Sequence, residues 1–129
     1  MKLLTVQEVV YAHDKAIAGA GGGATGLLDI GRVEAAVARM SAGFGPVELY
    51  PDVFGKAAAL LEALIANHGF LDGNKRTAML SATALLERNG WVLTYSADEV
   101  VSFALGVATH QIGFGEIVAW LREHSERVR

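Results

Sequence analysis

Ala57-Ala58-Ala59-Leu60-Leu61 with Ala63-Leu64-Ile65-Ala66, then His68-Gly69-Phe70-Leu71-Asp72-Gly73-Asn74-Lys75-Arg76-Thr77, then Ala78-Met79-Leu80 with Ala82 to Leu86, form the middle of this chain. The outer two runs are nearly apolar all round, and helices of that kind belong inside a hydrophobic core. The run between them gathers an imidazole, a carboxylate, an amide and two cations into nine positions. A plain connection between core helices has no need of that chemistry. The pattern predicts two packed helices with a functional site at their junction.

Outward from this junction the helical spacing continues, and the pattern is all-α with about six helices. Thr5-Val6-Gln7-Glu8 is a capping box, in which threonine accepts from the Glu8 N–H and the glutamate reaches back. The first helix is expected from Val6 to about Ala18 and ends in the glycine-rich loop Gly19 to Gly26. A second is expected from near Asp29 to about Met40, with Val33, Ala36, Val37 and Met40 on one stripe. Ser41 to Pro51 holds both prolines and reads as a surface connection. Pro51 or Asp52 then opens a third helix that reaches about Asn67. The fourth runs from Asn74 or Lys75 to Arg88, with Asn89-Gly90 as its stop. Trp91 to Tyr95 reads as extended. Ser96-Ala97-Asp98-Glu99 is a second capping box opening a fifth helix through about Thr109, and a sixth is expected from Gly115 or Glu116 to about Arg127.

The whole chain has 129 residues, 52% of them hydrophobic and 19% charged. That length suits one domain, residues 1–129, and that balance excludes disorder, which needs low hydrophobicity and high charge. Cysteine is absent, which excludes a disulfide framework, a thiolate metal site and a cysteine nucleophile, and suits a reducing cytosol. Fourteen acids against eleven bases leave a formal charge of −3, so no global field draws the chain to nucleic acid or an anionic membrane. The start, Met1 to Glu8, meets polar residues too soon for a signal-peptide core, and the most apolar stretch, Ala57 to Ala66, carries Glu62. It falls short of the roughly 18–20 apolar residues of a membrane span. A soluble, cytoplasmic protein is expected.

The placement of Lys75 and Arg76 sharpens the case for a site. They fall at a helix N-terminus, where the macrodipole is positive and a cation is disfavoured by roughly 0.3–1 kcal/mol. Broken local rules concentrate at functional sites, and an anion bound here would reverse the sign of both terms. Free N–H groups around Gly73, Asn74 and Lys75 would cradle a phosphate, Gly73 would let it approach closely, and the two side chains would supply charge. Asp72 is suited to Mg²⁺, which takes one or two carboxylates plus phosphate oxygens. His68 is suited to take a proton from an attacking hydroxyl, since imidazole is the side chain most often used as a general base. Singly, each residue has a bland account: a structural histidine, a helix-capping aspartate, a solvated cation pair. Their joint placement against the dipole is what favours function.

The same residues, His68-Gly69-Phe70-Leu71-Asp72-Gly73-Asn74-Lys75-Arg76, resemble the signature of the Fic/Doc superfamily. The wider Fic pattern is His-Pro-Phe-x-Asp/Glu-Gly-Asn-Gly-Arg. Doc toxins replace the second glycine by lysine and continue with Thr-Ala, as Lys75-Arg76-Thr77-Ala78 does, so the Doc branch is the better match. The likeness extends to His13-Asp14, to Asp29-Ile30-Gly31-Arg32 with Glu34, and to the run from Tyr50 to Asn67, and so covers most of the chain. One departure is Gly69, where Fic proteins carry proline. The resemblance implies a compact all-helical Fic fold with the motif in the loop and start of a central buried helix. It implies ATP and Mg²⁺ as cofactors and, in the Doc branch, a kinase toxin that moves the terminal phosphate to a threonine of elongation factor Tu and so inhibits translation. Carried over by position, His68 is the base, Asp72 the Mg²⁺ ligand, Gly73 and Asn74 the phosphate-binding turn, Lys75 and Arg76 the charge clamps, and Phe70 the anchor of the loop. Doc toxins act beside a small antitoxin, whose tail folds onto the toxin as a helix in a groove. Self-restraining Fic proteins carry Ser/Thr-x-x-x-Glu-Gly/Asn, and Thr83-Ala84-Leu85-Leu86-Glu87-Arg88 lacks the final small residue, so restraint in trans is expected.

The alternative within the same fold is a Fic-type adenylyltransferase, which attacks a different phosphorus to transfer AMP to a protein hydroxyl. Lys75 tips the choice, since a long cation where AMP transferases keep glycine fills part of the anion hole and favours a reversed nucleotide. A helical DNA-binding module would place Lys75 and Arg76 on a phosphate, but the acidic balance and the presence of His68 and Asp72 speak against it. A silenced relative that kept the fold is the remaining non-enzymatic alternative. Gly21 to Gly26 formally matches Gly-x-Gly-x-x-Gly, yet it follows a helix with no βαβ pattern around it and is set aside. His13, His110 and His124 are set aside as structural or solvent residues, and Trp91, Phe103 and Trp120 as core anchors.

Overall fold

A computed structural model describes residues 1–19 and 26–128. Six helices carry the architecture: α1 (Val6–Gly19), α2 (Ile30–Ala38), α3 (Val53–Asn67), α4 (Asn74–Arg88), α5 (Ala97–Ala108) and α6 (Phe114–Glu123). A 3-10 turn, Arg39–Ser41, continues α2. Two antiparallel strand pairs complete the described elements: β1 (Gly43–Phe44) with β2 (Val47–Glu48), and β3 (Trp91–Leu93) with β4 (Ser125–Arg127). The fold class is all-α. The Gly-x-Gly-x-x-Gly match and most of the glycine-rich loop lie outside the described residues.

Local chemistry accounts for most helix starts. Thr5 Oγ1 accepts from the Glu8 N–H at 3.2 Å and Glu8 Oε1 accepts from the Thr5 N–H at 3.0 Å, so the first capping box closes as expected. Asp29 and Asp52 cap α2 and α3, accepting from Gly31 and Gly55 at 2.9 Å each.

The core is built on α3, whose apolar surround is enclosed by α4, α2, α6 and α5. Ala57, Ala58, Ala59, Leu60 and Leu61 are fully buried along it. Facing them, α4 buries Ala78, Ala82, Leu85 and Leu86, while Glu87 and Arg88 reach solvent. One cation enters this interior. Lys56 is 3% exposed, with Nζ donating to the Met40 carbonyl at 2.7 Å and to Glu48 Oε1 at 2.8 Å, which ties the 3-10 turn and the β1–β2 hairpin to α3.

Two segments depart from expectation. The Ser41–Pro51 connection folds partly into the β1–β2 hairpin, with Gly43 opposite Glu48 and Phe44 opposite Val47. The last helix ends at Glu123 rather than about Arg127, because Ser125–Arg127 turns back to pair with Trp91–Leu93. Nothing local stops a helix there. The strand wins by meeting the hydrogen-bonding groups of β3 and by laying the Arg127 guanidinium 5.2 Å from the Trp91 ring centre.

Candidate active site

The junction between α3 and α4 is a sharp reversal with two left-handed residues. His68 closes α3 at φ 49° and ψ 54°, and Gly73 opens α4 at φ 79° and ψ 16°. A histidine in that region is uncommon and is held by its surroundings. Arg32 reaches the His68 carbonyl at 3.4 Å, and the Asn67 side chain donates to the Arg32 carbonyl at 3.1 Å. Gly69 then passes so close to α2 that a Cβ would fall 2.6 Å from Val33 Cγ2. That approach accounts for glycine at this position.

The loop is braced from both sides. Gly26 to Asp29 runs beside it as a strap: the Leu28 and Asp29 N–H groups donate to the Gly69 carbonyl at 2.9 and 3.1 Å, and the Leu71 N–H donates to the Gly26 carbonyl at 3.0 Å. Within the loop, Asn74 brackets Phe70, its Oδ1 accepting from the Phe70 N–H at 3.2 Å and its Nδ2 donating to the Phe70 carbonyl at 2.9 Å. Phe70 is 3% exposed and anchors the loop in the core. From α1, His13 stacks on the Phe70 ring at 3.9 Å, and its Nε2 donates to the Asp72 carbonyl at 2.8 Å.

Five of the six candidate residues converge. Asp72, Gly73, Asn74, Lys75 and Arg76 line one pocket of about 590 Å³, whose other walls are Ala16 and Ile17 of α1, Met79 and Leu80 of α4, Tyr95, and the α5 residues Val100, Val101, Ala104 and Leu105. The charged and amide side chains come from the loop and the start of α4, and the remaining walls are apolar apart from the Tyr95 hydroxyl, a division suited to a ligand with an anionic tail and a flat organic body. His68 stands outside this lining, exposed at the start of the loop.

The electrostatics of the α4 terminus follow from its geometry. No side chain caps it, and its first turn has no acid. The first N–H groups of a helix have no partners within it, so those of Asn74, Lys75 and Arg76 converge with the positive end of the dipole. Arg76 and Lys75 add two cations, both exposed. Arg76 is partly committed, since its guanidinium donates to the Ala16 carbonyl at 3.3 Å and so ties α4 to the end of α1. The Asp72 carboxylate accepts from the Gly73 N–H at 2.8 Å.

Among the described residues no cluster of three or more His, Asp or Glu side chains surrounds a point where a metal would be caged. The one carboxylate at this anionic-ligand end, Asp72, matches the donor set of Mg²⁺ bound chiefly by phosphate oxygens. His13 is the residue that sequence reasoning passed over. A signal for it was present: Val9, His13, Ala16 and Ile17 form one helical stripe, all buried, and a histidine on such a stripe needs a partner.

Comparison with known proteins gives two kinds of match. A family model described as Fic/DOC family matches residues 3–86, which span α1 to α3, the whole loop and all but the last two residues of α4. The chain is similar to "Protein kinase doc" of Escherichia phage P1, 35% identical over 122 residues, 95% of this chain and 94% of that one. It is also similar to "Toxin Doc" of Mycolicibacterium smegmatis (strain ATCC 700084 / mc(2)155), 40% identical over 102 residues, 78% of each chain.

Proposed function

Because this chain belongs to the Fic/DOC family, we propose that it is a cytoplasmic toxin of the Doc kind. It is an ATP-dependent protein kinase that moves the terminal phosphate to a threonine hydroxyl of a translation factor, elongation factor Tu. Residues 1–129 act as one Fic/Doc domain. The observation that carries this is the convergence of Asp72 to Arg76 on one pocket at an uncapped helix N-terminus, an arrangement that raises the local affinity for a polyphosphate. The similarity to a protein named as a kinase and to one named as a toxin supports the chemistry and the biological role.

In this mechanism the backbone of Gly73 and Asn74 receives phosphate oxygens, while Lys75 and Arg76 neutralise charge as it shifts towards the leaving oxygen. Asp72 would hold Mg²⁺, which would supply positive charge to offset that of the phosphates. The apolar walls on α5 take the nucleoside. His68 accepts the proton of the target hydroxyl as its oxygen forms a bond to the terminal phosphorus and the bridging bond to ADP breaks. The partner that restrains the toxin is a small antitoxin. Val101 and Leu105 of α5, 68% and 56% exposed at the pocket rim, offer its helix an apolar seat.

The test is the intact mass of elongation factor Tu after incubation with the purified chain and Mg·ATP. A gain of one phosphate is expected. A gain of AMP assigns the adenylyltransferase reaction instead, and no gain from a folded, ATP-binding chain removes the target. His68→Ala is expected to lower transfer by about 10²–10⁴-fold with ATP binding retained; undiminished transfer would exclude His68 as the base.

A further inference from the structure

We infer that His13 is a positioning residue for the phosphate-binding turn: from the buried face of α1 it holds the Asp72–Gly73 peptide with its N–H turned to the pocket. The inference rests on the nucleotide-binding function proposed above. His13 is 1% exposed, and its ring lies flat on Phe70 with 7° between the planes. Filling that space asks only for an apolar ring. The Nε2 does more, because it lies 2.8 Å from the Asp72 oxygen, and a carbonyl can only accept, so the ring carries its hydrogen on Nε2 and donates.

A planar trans peptide points its C=O and the following N–H in opposite directions. With the Asp72 oxygen held towards α1, the Gly73 N–H is sent to the other side, where Asp72, Gly73 and Asn74 line the pocket. There it already meets an anionic oxygen, Asp72 Oδ1, at 2.8 Å. The Asn74 bracket fixes Phe70, two residues earlier, and leaves the Asp72 carbonyl to His13. The need for an outside donor comes from Gly73. At φ 79° it sits so close to α1 that a Cβ would lie 3.1 Å from Ile17 Cδ1, which favours glycine, and glycine crosses easily between the two signs of φ. Without the His13 donor the peptide is free to turn its carbonyl, an acceptor, towards the phosphate. The histidine supplies the rigidity that the glycine lacks.

Two full-length variants separate the donor from the packing. His13→Phe keeps an aromatic ring for Phe70 and loses the donor, whereas His13→Gln carries an amide nitrogen near the place of Nε2. Each is titrated calorimetrically with Mg·ATP, melted, and examined for the amide resonance of Gly73 without nucleotide. His13→Phe is expected to weaken ATP binding by about tenfold or more and to move the Gly73 resonance, and His13→Gln to recover most of both. A purely structural ring predicts the reverse order, with Phe close to wild type and Gln the poorer binder, and that result would overturn the inference. If His13→Phe does not fold, His13→Asn takes its place, since its amide reaches only the position of Nδ1; ATP affinity equal to that of His13→Gln would then overturn it. A folded wild type that does not bind ATP removes the proposed function and this inference together. A wild type that binds, matched by His13→Phe, removes this inference alone.

Discussion

Two helix N-termini in this molecule are finished in opposite ways. At α5, Ser96 Oγ accepts from the Glu99 N–H at 3.1 Å, Glu99 Oε1 accepts from the Ser96 N–H at 2.9 Å, and Asp98 and Glu99 bring negative charge to the dipole. At α4, a left-handed glycine takes the cap position with its own N–H met by Asp72 Oδ1, no side chain answers the N–H groups of Asn74, Lys75 and Arg76, and the first turn brings two cations, Lys75 and Arg76. A cap is worth about 1 kcal/mol and a matched charge roughly 0.3–1 kcal/mol. The α5 terminus spends its polar groups on itself, and the α4 terminus keeps its own for something else. Stability forgone at one terminus and gained at another of the same fold fits the proposal that the first is the binding end.

The largest effect is expected from making α4 resemble α5. Lys75→Glu places an acid in the first turn, so helix stability should rise by about 0.3–1 kcal/mol while ATP affinity falls by about ten- to a hundredfold. Thermal melting and calorimetric titration read the two together. Unchanged ATP affinity would break the comparison. The converse change, Ser96→Ala, should cost about 1 kcal/mol and lower Tm by about 3–5 °C. ATP affinity should stay at the wild-type value, since Ser96 acts on its own helix; a fall in affinity equal to that of Lys75→Glu would mean that the two termini are not separate.

The smallest effect is a dependence on pH. His124 Nε2 faces Glu99 Oε2 and Nδ1 faces the Trp120 carbonyl, each at 2.8 Å, so only the doubly protonated ring satisfies both. Burial opposes that charge, but the bonds to Glu99 and Trp120 outweigh it and raise the His124 pKa above 6.5. The Ser96 N–H, and after it His124, hold Glu99 down to about 2. The raised His124 value makes its contribution full below pH 6.5 and lost as pH rises through the folded pKa. The depressed Glu99 value makes its contribution full above 4.5 and lost as pH falls towards 2. The Tm difference between wild type and His124→Gln should therefore be greatest near pH 5–6 and close by pH 9. A difference that is flat with pH would show that the latch joining α6 to α5 is not ionic.

Much of this contrast was legible from residues alone. The two Thr/Ser-x-x-Glu boxes, the bounds of α4 from Asn74 to Arg88, and the conflict of Lys75 and Arg76 with the helix dipole are all signals within four residues, and each held in three dimensions. The end of α6 was not legible, because the groups that draw Ser125–Arg127 into a strand belong to Trp91–Leu93, more than thirty residues away. The β1–β2 hairpin was missed for a related reason. Its anchor, Lys56, is a lysine just ahead of a run of alanines, and its partners, Met40 and Glu48, come from the preceding segment.

The site divides along the same line. Residue order alone gives the local features of the proposed site: which residues bear charge, that they open a helix, and that a glycine precedes them. Capping, dipole and turn preferences act over one helical turn, so their signals are written locally. Tertiary structure alone decided the surroundings: the α5 wall of the pocket, the Arg76 link to Ala16, and the placement of His13 against Asp72. Those contacts join residues 59 or 60 positions apart in the two hydrogen bonds. No periodicity encodes such distances, and only the packing of α1 against α4 brings the partners within reach.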